Sequence, residues 1–484
     1  MMALPKLPIR SIVIATLASP SLSVAAPVAA RITRALQEHF LQLLLAGVLA
    51  IVLVGTWLYL RGHRRTFVAL VVAALATSLG LGWFVLNQRY PNQALFDTGH
   101  WRDGLAIVLG KDIRLSKYQP EPLLKVPHES VARAAYPAID AHFHLESLPP
   151  DITAERLVAA MDAAGIAKVA HMGSLPNNLE EYVRKFKDPF PDRFIMFARP
   201  DFPAALRRDD GVQRQVEWIE VAARLGARGL KVQKSLGTSV KDASGRLVGV
   251  DDPRFDPIWE KAGELGFPVL IHTSDPTAFF MRPDEHNERL EEMLDRPDWV
   301  NYGKDEPSKE ELIAQRNRLV ARHPGTNFIG AHMGSSEDDL SQVAELLDRY
   351  PNYYVDMASV VHALGRQPVT ARAFFIRYQD RILFGTDGGY ALQSDGAGWT
   401  PERYFRNYIE FLETSNEHVE YPLWGVNKQG RWRVYGLDLP DEVLEKIYLH
   451  NAERLIPSDQ AIAERLAGRF PSLESGSPIL PGTP

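Results

Sequence analysis

Asp140-Ala-His-Phe-His144 sets one carboxylate and two imidazoles at every second position. The residues around it, Ala135-Tyr-Pro-Ala-Ile before and Leu145 after, read as a short buried strand. Along a strand, side chains at i and i+2 share a face. Asp140, His142 and His144 therefore project together, with the imidazoles nearest the strand end. Two such imidazoles suit a Zn²⁺-like ion, which takes nitrogen ligands at ~2.0–2.1 Å. The chain has no cysteine, so disulfides and thiolate ligands are excluded. Any metal must sit on His, Asp, Glu or a modified Lys. A His-x-His pair alone is weak evidence, since two strand histidines are more often core or surface residues.

Further groups recur where strands should end. His171, Arg199, Lys231, His272, His332 and Asp387 each close or follow a short apolar run. Each alone has a structural reading: a strand-end His is usually hydrogen-bonded in place, and an Arg usually pairs with a loop acid. Gathered in one cavity they are harder to explain by packing, because burying many polar groups without partners is costly.

The elements that would gather them alternate along the chain. Apolar strand-like runs lie at 135–145, 166–173, 193–200, 229–233, 267–272, 327–332, 352–357 and 381–387. Helical periodicity marks 153–164, 212–225, 256–266, 309–322, 338–349 and 370–379. Uniformly apolar strands alternating with helices predict a parallel sheet covered on both faces. Eight repeats in ~250 residues predict a (β/α)8 TIM barrel, an α/β fold whose active sites collect at the C-terminal strand ends. A doubly wound open sheet is the runner-up, and the glycine fingerprint it often carries is absent.

Outside the barrel, the sequence divides into four parts. Residues 1–39 resemble a signal peptide or an extra span. Residues 40–60 and 66–88 carry no formal charge and flank Arg61-Gly-His-Arg-Arg65. Each run is long enough for a ~30 Å hydrocarbon core, so a transmembrane helical hairpin at 40–88, and through it a lipid bilayer as partner, is expected. The arginines of the turn favour the cytoplasm, which makes the protein a multi-pass membrane protein with an extracytoplasmic catalytic domain. Residues 89–134 read as linker and lead-in, 135–458 as the barrel, and 459–484 as a tail with a short amphipathic helix. Residues 1–94 hold eight Lys/Arg against one acid, so the body is acidic and nucleic acid is not the expected partner.

Asp140-Ala-His-Phe-His144, Val269-Leu-Ile-His272, Ile329-Gly-Ala-His-Met-Gly334 and Leu383-Phe-Gly-Thr-Asp387 follow the order and spacing of the amidohydrolase superfamily. Val443-Leu-Glu-Lys-Ile-Tyr-Leu-His-Asn-Ala-Glu-Arg-Leu455 resembles the C-terminal helix of its amidohydrolase-related branch, which includes aminocarboxymuconate-semialdehyde decarboxylase. The resemblance covers about 118–458. It implies one divalent ion, Zn²⁺, on His142, His144, His272 and Asp387, with a water in the remaining position. It also implies that Asp387 is the general base and that His332 donates to an oxyanion or a substrate carboxylate.

Lys231 stays open: a carboxylated lysine bridging two metals, or a buried cation paired with Asp140 or a substrate carboxylate, the single-metal reading being favoured. His171 and Arg199 are weaker substrate contacts. The long stretch 273–308 carries Phe279, Phe280, Trp299 and Tyr302, either lining a substrate pocket or packed at the surface. Three functions follow for a small-molecule site, with oligomeric state left open. They are a metal-dependent hydrolase of C–N or C–O acyl bonds, a non-oxidative decarboxylase on the same site, and a non-catalytic binding module.

Overall fold

The computed structural model describes scattered positions between 54 and 72, and residues 123–389, 400–419, 421 and 429–467. Two compact units divide at Tyr118/Gln119. In the first, a turn at Arg61 and Gly62 separates short helical stretches, with Arg61 over the Trp57 ring and Tyr59 edge-on to Phe67. Among the described residues no helix is long and apolar enough to cross a membrane. This overturns the expected multi-pass membrane placement with an extracytoplasmic catalytic domain. None of the described stretches approaches the about 20 residues that a bilayer core requires. The rest of 40–88 lies outside the described residues, as do 1–39.

The second unit is built on eight strands: β1 (Ala138–Phe143), β2 (Ile166–Ser174), β3 (Phe194–Ala198), β4 (Ala227–Val232), β5 (Val269–Ile271), β6 (Phe328–Gly330), β7 (Tyr353–Asp356) and β8 (Ile382–Leu383). All pair in parallel in chain order, consistent with a (β/α)8 barrel. The ring is completed by backbone hydrogen bonds between β1 and the chain running out of β8. Ala141 N–H donates to Phe384 O at 2.9 Å, Asp387 N–H to His142 O at 2.8 Å and His144 N–H to Gly388 O at 2.8 Å. The approach is close enough that a Cβ on Gly388 would meet the Phe143 ring at 2.3 Å, so a residue without a side chain is needed there. Closure thus occurs where the candidate ligands sit.

Helices cover the outside. Ala154–Ala164 begins at Thr153, whose side chain accepts from Arg156 N–H, and stops at Gly165 with φ 78°. It buries Leu157, Val158, Met161 and Ala164 at helical spacing. Each large side chain so buried contributes ~1.5–3 kcal/mol. Gly211–Arg224, Asp256–Leu265, Lys309–Arg322, Leu340–Arg349 and Pro368–Arg377 cover the later strands in turn. Pro401–Glu413 follows β8 and buries Tyr404, Phe405, Tyr408 and Phe411. The lead-in is pinned to the barrel, with Glu129 N–H donating to Asn416 Oδ1 at 2.8 Å and Ala135 N–H to Glu413 Oε1 at 2.9 Å. Asp459–Ala467 forms the expected helix of the tail.

Candidate metal centre and active site

His142 lies in β1 and His144 directly after it, and their Nε2 atoms converge on one carboxylate oxygen. Asp387 Oδ1 is 3.4 Å from His142 Nε2 and 3.1 Å from His144 Nε2. Each imidazole is held from behind by its own acid: His142 Nδ1 meets Asp356 Oδ2 at 2.8 Å, and His144 Nδ1 meets Glu146 Oε1 at 2.6 Å. A carboxylate on Nδ1 fixes the tautomer that leaves Nε2 to bind a metal.

Asp387 owes its position to a hydrogen-bonded girdle. It stands at φ 59°, in the left-handed region. The preceding Thr386 is locked on both sides. Its N–H and Oγ1 donate to Asp140 at 3.0 and 2.5 Å, while Tyr404 and Tyr408 hydroxyls both donate to Thr386 O at 2.7 Å. Asp140 thus faces the strand-8 exit. Burial pushes its carboxyl up to about 7.

His332 is set by an unusual turn. His332, Met333, Gly334 and Ser335 run at φ 56°, 52°, 66° and 59°. A left-handed L-residue costs ~1–2 kcal/mol, so the run needs external support. Buried Arg316 supplies it, donating from Nη1 to Gly334 O at 2.5 Å, and Ser335 Oγ donates to Ser274 O at 3.0 Å. The result points His332 Nδ1–H at Ala358 O, 2.7 Å away, and leaves Nε2 for the cavity. His332 N–H donates to Asp356 Oδ1 at 2.8 Å.

A cavity of about 350 Å³ opens over these groups, with His144, His272, His332 and Asp387 on its wall. Phe279 and Trp299, rings 5.9 Å apart, form an aromatic side, whereas Phe280 and Tyr302 take no part in it. Lys234 is paired with Asp275 at 2.5 Å, and buried Arg289 holds Glu292 through two bonds of 2.6 and 3.1 Å.

The remaining expected site residues stand at different depths. His272 lies beside the trio, its ring 4.6 Å from His332, with Nε2 on Ser274 O at 3.1 Å. Lys231 is below the cavity floor, fully buried, with Nζ 3.1 Å from His142 Nε2. Gln233 and Lys234, past the end of β4, reach the wall in its place. His171 is buried behind Glu146, 3.4 Å from Oε2, and accepts from Leu145 N–H at 3.3 Å. Arg199 is half-buried after β3 and is not on the cavity wall. Asp356 and Glu146 are the groups that the sequence did not single out. Their signals were an acid at the seventh strand end and an acid two residues past His144.

The electrostatics are those of a cation site. Burial works against charge on Asp387, yet His142, His144 and His332 hold its carboxyl well below the usual range. Burial also opposes protonation of His144, but hydrogen bonds to Asp387 and Glu146 push it up to about 9. Burial, then Lys231, lowers His142 to about 4, and burial lowers Lys231 to about 8. His142, His144 and Asp387 offer three ligand atoms within 4.8 Å of one another. They fit a divalent metal, provided Lys231 Nζ releases His142 Nε2.

An eight-stranded parallel ring with His, His and Asp converging at its strand ends defines a barrel with a candidate metal centre. The amidohydrolase family model matches residues 139–458, and the chain belongs to the amidohydrolase family. The resemblance to the aminocarboxymuconate-semialdehyde decarboxylase branch is consistent with that membership. Members of this family are enzymes and use a divalent metal. Among solved structures, the chain is similar to 2,6-dihydroxybenzoate decarboxylase from Rhizobium. The identity is 18%, the match covers 66% of this chain and 98% of that one, and the TM-score is 0.38. It is also similar to 4-oxalomesaconate hydratase from Rhodopseudomonas palustris, at 16% identity, 69% and 99% coverage and a TM-score of 0.41. The corresponding values for 5-carboxyvanillate decarboxylase from Sphingomonas paucimobilis are 14%, 66%, 99% and 0.35. None of the curated proteins matches the chain.

Proposed function

We propose that the chain is a mononuclear metal-dependent hydrolase that cleaves a C–N or C–O acyl bond of a small molecule. The observation that carries this is the convergence of His142, His144 and Asp387, each imidazole backed by a carboxylate. His142, His144 and Asp387 would hold Zn²⁺ or a similar ion, and His272 is the candidate fourth ligand at the expense of its contact with Ser274 O. The ion, when bound, supplies Lewis-acid polarisation of the acyl carbonyl and of a nucleophilic water.

The chain's own groups do the rest. Asp387 takes a proton from the attacking water at its carboxylate and returns it to the leaving group. His332 faces the developing oxyanion through Nε2, and because its Nδ1–H is committed to Ala358 O it donates there as the imidazolium. Phe279 and Trp299 exclude water from one side of the substrate.

The hydrolytic reading is preferred because Lys234 and Arg289 are already matched by Asp275 and Glu292. Neither is left to grip a substrate carboxylate. One observation favours decarboxylation instead: Lys231 Nζ, 3.1 Å from His142 Nε2, brings a basic group to the face of His142 that would bind the metal. Assaying the Zn²⁺-loaded full chain for release of amine or alcohol and for release of CO₂ separates the two. Metal-dependent hydrolysis without CO₂ supports the proposal, and CO₂ release without hydrolysis overturns it.

A further inference from the structure

Glu337 is 3% exposed, yet among the described residues its carboxylate makes no ion pair, and Oε2 has no hydrogen-bond partner. The cations around it are engaged elsewhere. Arg289 feels the charge of Glu337, but its hydrogen bonds go to Glu292 at 2.6 and 3.1 Å. Lys234 pairs with Asp275 at 2.5 Å, and Arg366 holds Glu288 through bonds of 2.8 and 2.7 Å. Glu337 is the carboxylate left over after these pairs form.

Two more buried acceptors share its situation. His362 Nδ1, in a residue 4% exposed, and Gln429 Oε1, in a residue 3% exposed, have no hydrogen-bond partner among the described residues. The three come from separate elements: Glu337 after the left-handed turn, His362 in the helix Val361–Leu364, and Gln429 in the segment beyond Pro401–Glu413. All three line the cavity that reaches His144, His332 and Asp387. Glu337 and His362 also line a second cavity of about 360 Å³, with Pro276 and Arg289 common to both. Glu337 and His362 stand where the two cavities meet, and Gln429 lines the first alone. Buried polar groups are normally paired, and a buried charge is retained when something compensates it. Three unpaired buried polar atoms on the wall of one cavity point to a donor that arrives with a ligand.

We propose that Glu337, His362 and Gln429 form a subsite for an ammonium group on the substrate, which places the acyl group beside His144, His332 and Asp387. An ammonium carries three N–H donors and no acceptor, which matches Glu337 Oε2, His362 Nδ1 and Gln429 Oε1. The bond to an ionised carboxylate is charge-assisted, so a cationic amine is favoured over a hydroxyl. The word substrate rests on the hydrolytic reading above; the ammonium preference itself does not.

Binding of n-butylammonium, n-butanol and butyrate to the full Zn²⁺-loaded chain by isothermal titration tests this without turnover. The native protein is expected to bind n-butylammonium about tenfold more tightly than n-butanol, with butyrate reporting any contribution of the metal site. Glu337→Gln should bring n-butylammonium down to the n-butanol level while metal content and the cooperativity of thermal unfolding stay unchanged. Equal binding of the ammonium and the alcohol by the native protein overturns the subsite, as does an ammonium preference that survives in Glu337→Gln. Should Glu337→Gln not fold, Gln429→Leu replaces it, with a several-fold loss of the preference expected and an unchanged preference contradicting. Preference for the ammonium in a protein without hydrolytic activity would overturn the hydrolytic reading and leave the subsite standing.

Discussion

Asp356 Oδ2 holds His142 Nδ1 at 2.8 Å, and the same carboxylate reaches across to His332 through Oδ1 at 2.8 Å. One fully buried acid at the end of β7 therefore orients a candidate metal ligand on β1 and a candidate oxyanion donor in the turn after β6. Burial opposes the charge, but His142 and then His332 keep the carboxyl below its ordinary range. Asp356→Asn should leave the barrel folded and weaken metal binding about 10–100-fold, the range seen when such outer partners of a ligating His are changed. Competition of the folded variant against a metal chelator of known affinity measures it, and native affinity would remove Asp356 from this role.

Asp387→Asn keeps an oxygen on the metal and loses the base. Turnover should fall about 10²–10⁴-fold, the usual contribution of a positioned proton acceptor. Metal content should remain near native. Parallel determination of kcat and of bound metal decides, and native kcat would sink the assignment of Asp387 as base.

Phe279 is 2% exposed, packs on Trp299, and carries Arg289 Cζ at 4.8 Å over its ring. Phe279→Ala should destabilise the protein by about 3 kcal/mol, the lower end for a buried Phe because one side already faces the cavity. KM should rise more than kcat falls. Urea unfolding together with steady-state kinetics checks both, and an unchanged KM would place Phe279 outside the substrate's reach.

Arg156 and Glu402 join the helices Ala154–Ala164 and Pro401–Glu413 through a bidentate pair, with Nη2 to Oε2 at 3.0 Å. The Arg156 side chain beside it holds the Glu402 carboxyl down to about 2, against 4.5 ordinarily. The folded value is the lower one, so the pair's stabilisation is present above pH 4.5 and is lost as pH falls toward 2. Half-exposed Arg156 limits it to about 1 kcal/mol. Glu402→Gln should therefore lower stability at pH 6 and lower it much less at pH 2.5, which urea midpoints at the two values will show. An equal loss at both would mean that the effect is packing rather than charge.

Much of this site could be read from the chain because strand periodicity is local. His142 and His144 share a face for the reason that i and i+2 always do in a strand, and the eight apolar runs lie where β1 to β8 form. What escaped depends on depth and neighbours. Lys231 and Gln233 differ by two residues, yet one lies under the floor and the other on the wall, a matter of where β4 ends. Asp356 is 214 residues from His142 in sequence, and only closure of the ring brings it under that imidazole. His272 was legible as a strand-end group, but its ring orientation toward Ser274 O depends on a tertiary contact. The apolar runs 40–60 and 66–88 suggested spans by length, absence of charge and aromatic ends, yet among the described residues no helix is long and apolar enough to cross a membrane. The unpaired acceptors Glu337, His362 and Gln429 come from three distant segments and become one feature only when folded.

Metal content of the purified full chain, measured by elemental analysis per polypeptide, tests the central claim most directly. About one divalent ion is expected in the native protein and in Asp387→Asn, with His142→Ala folded and metal-free. A folded native protein that takes up no ion on reconstitution, or a His142→Ala variant that keeps a full complement, would contradict the metal centre and the hydrolytic function built on it.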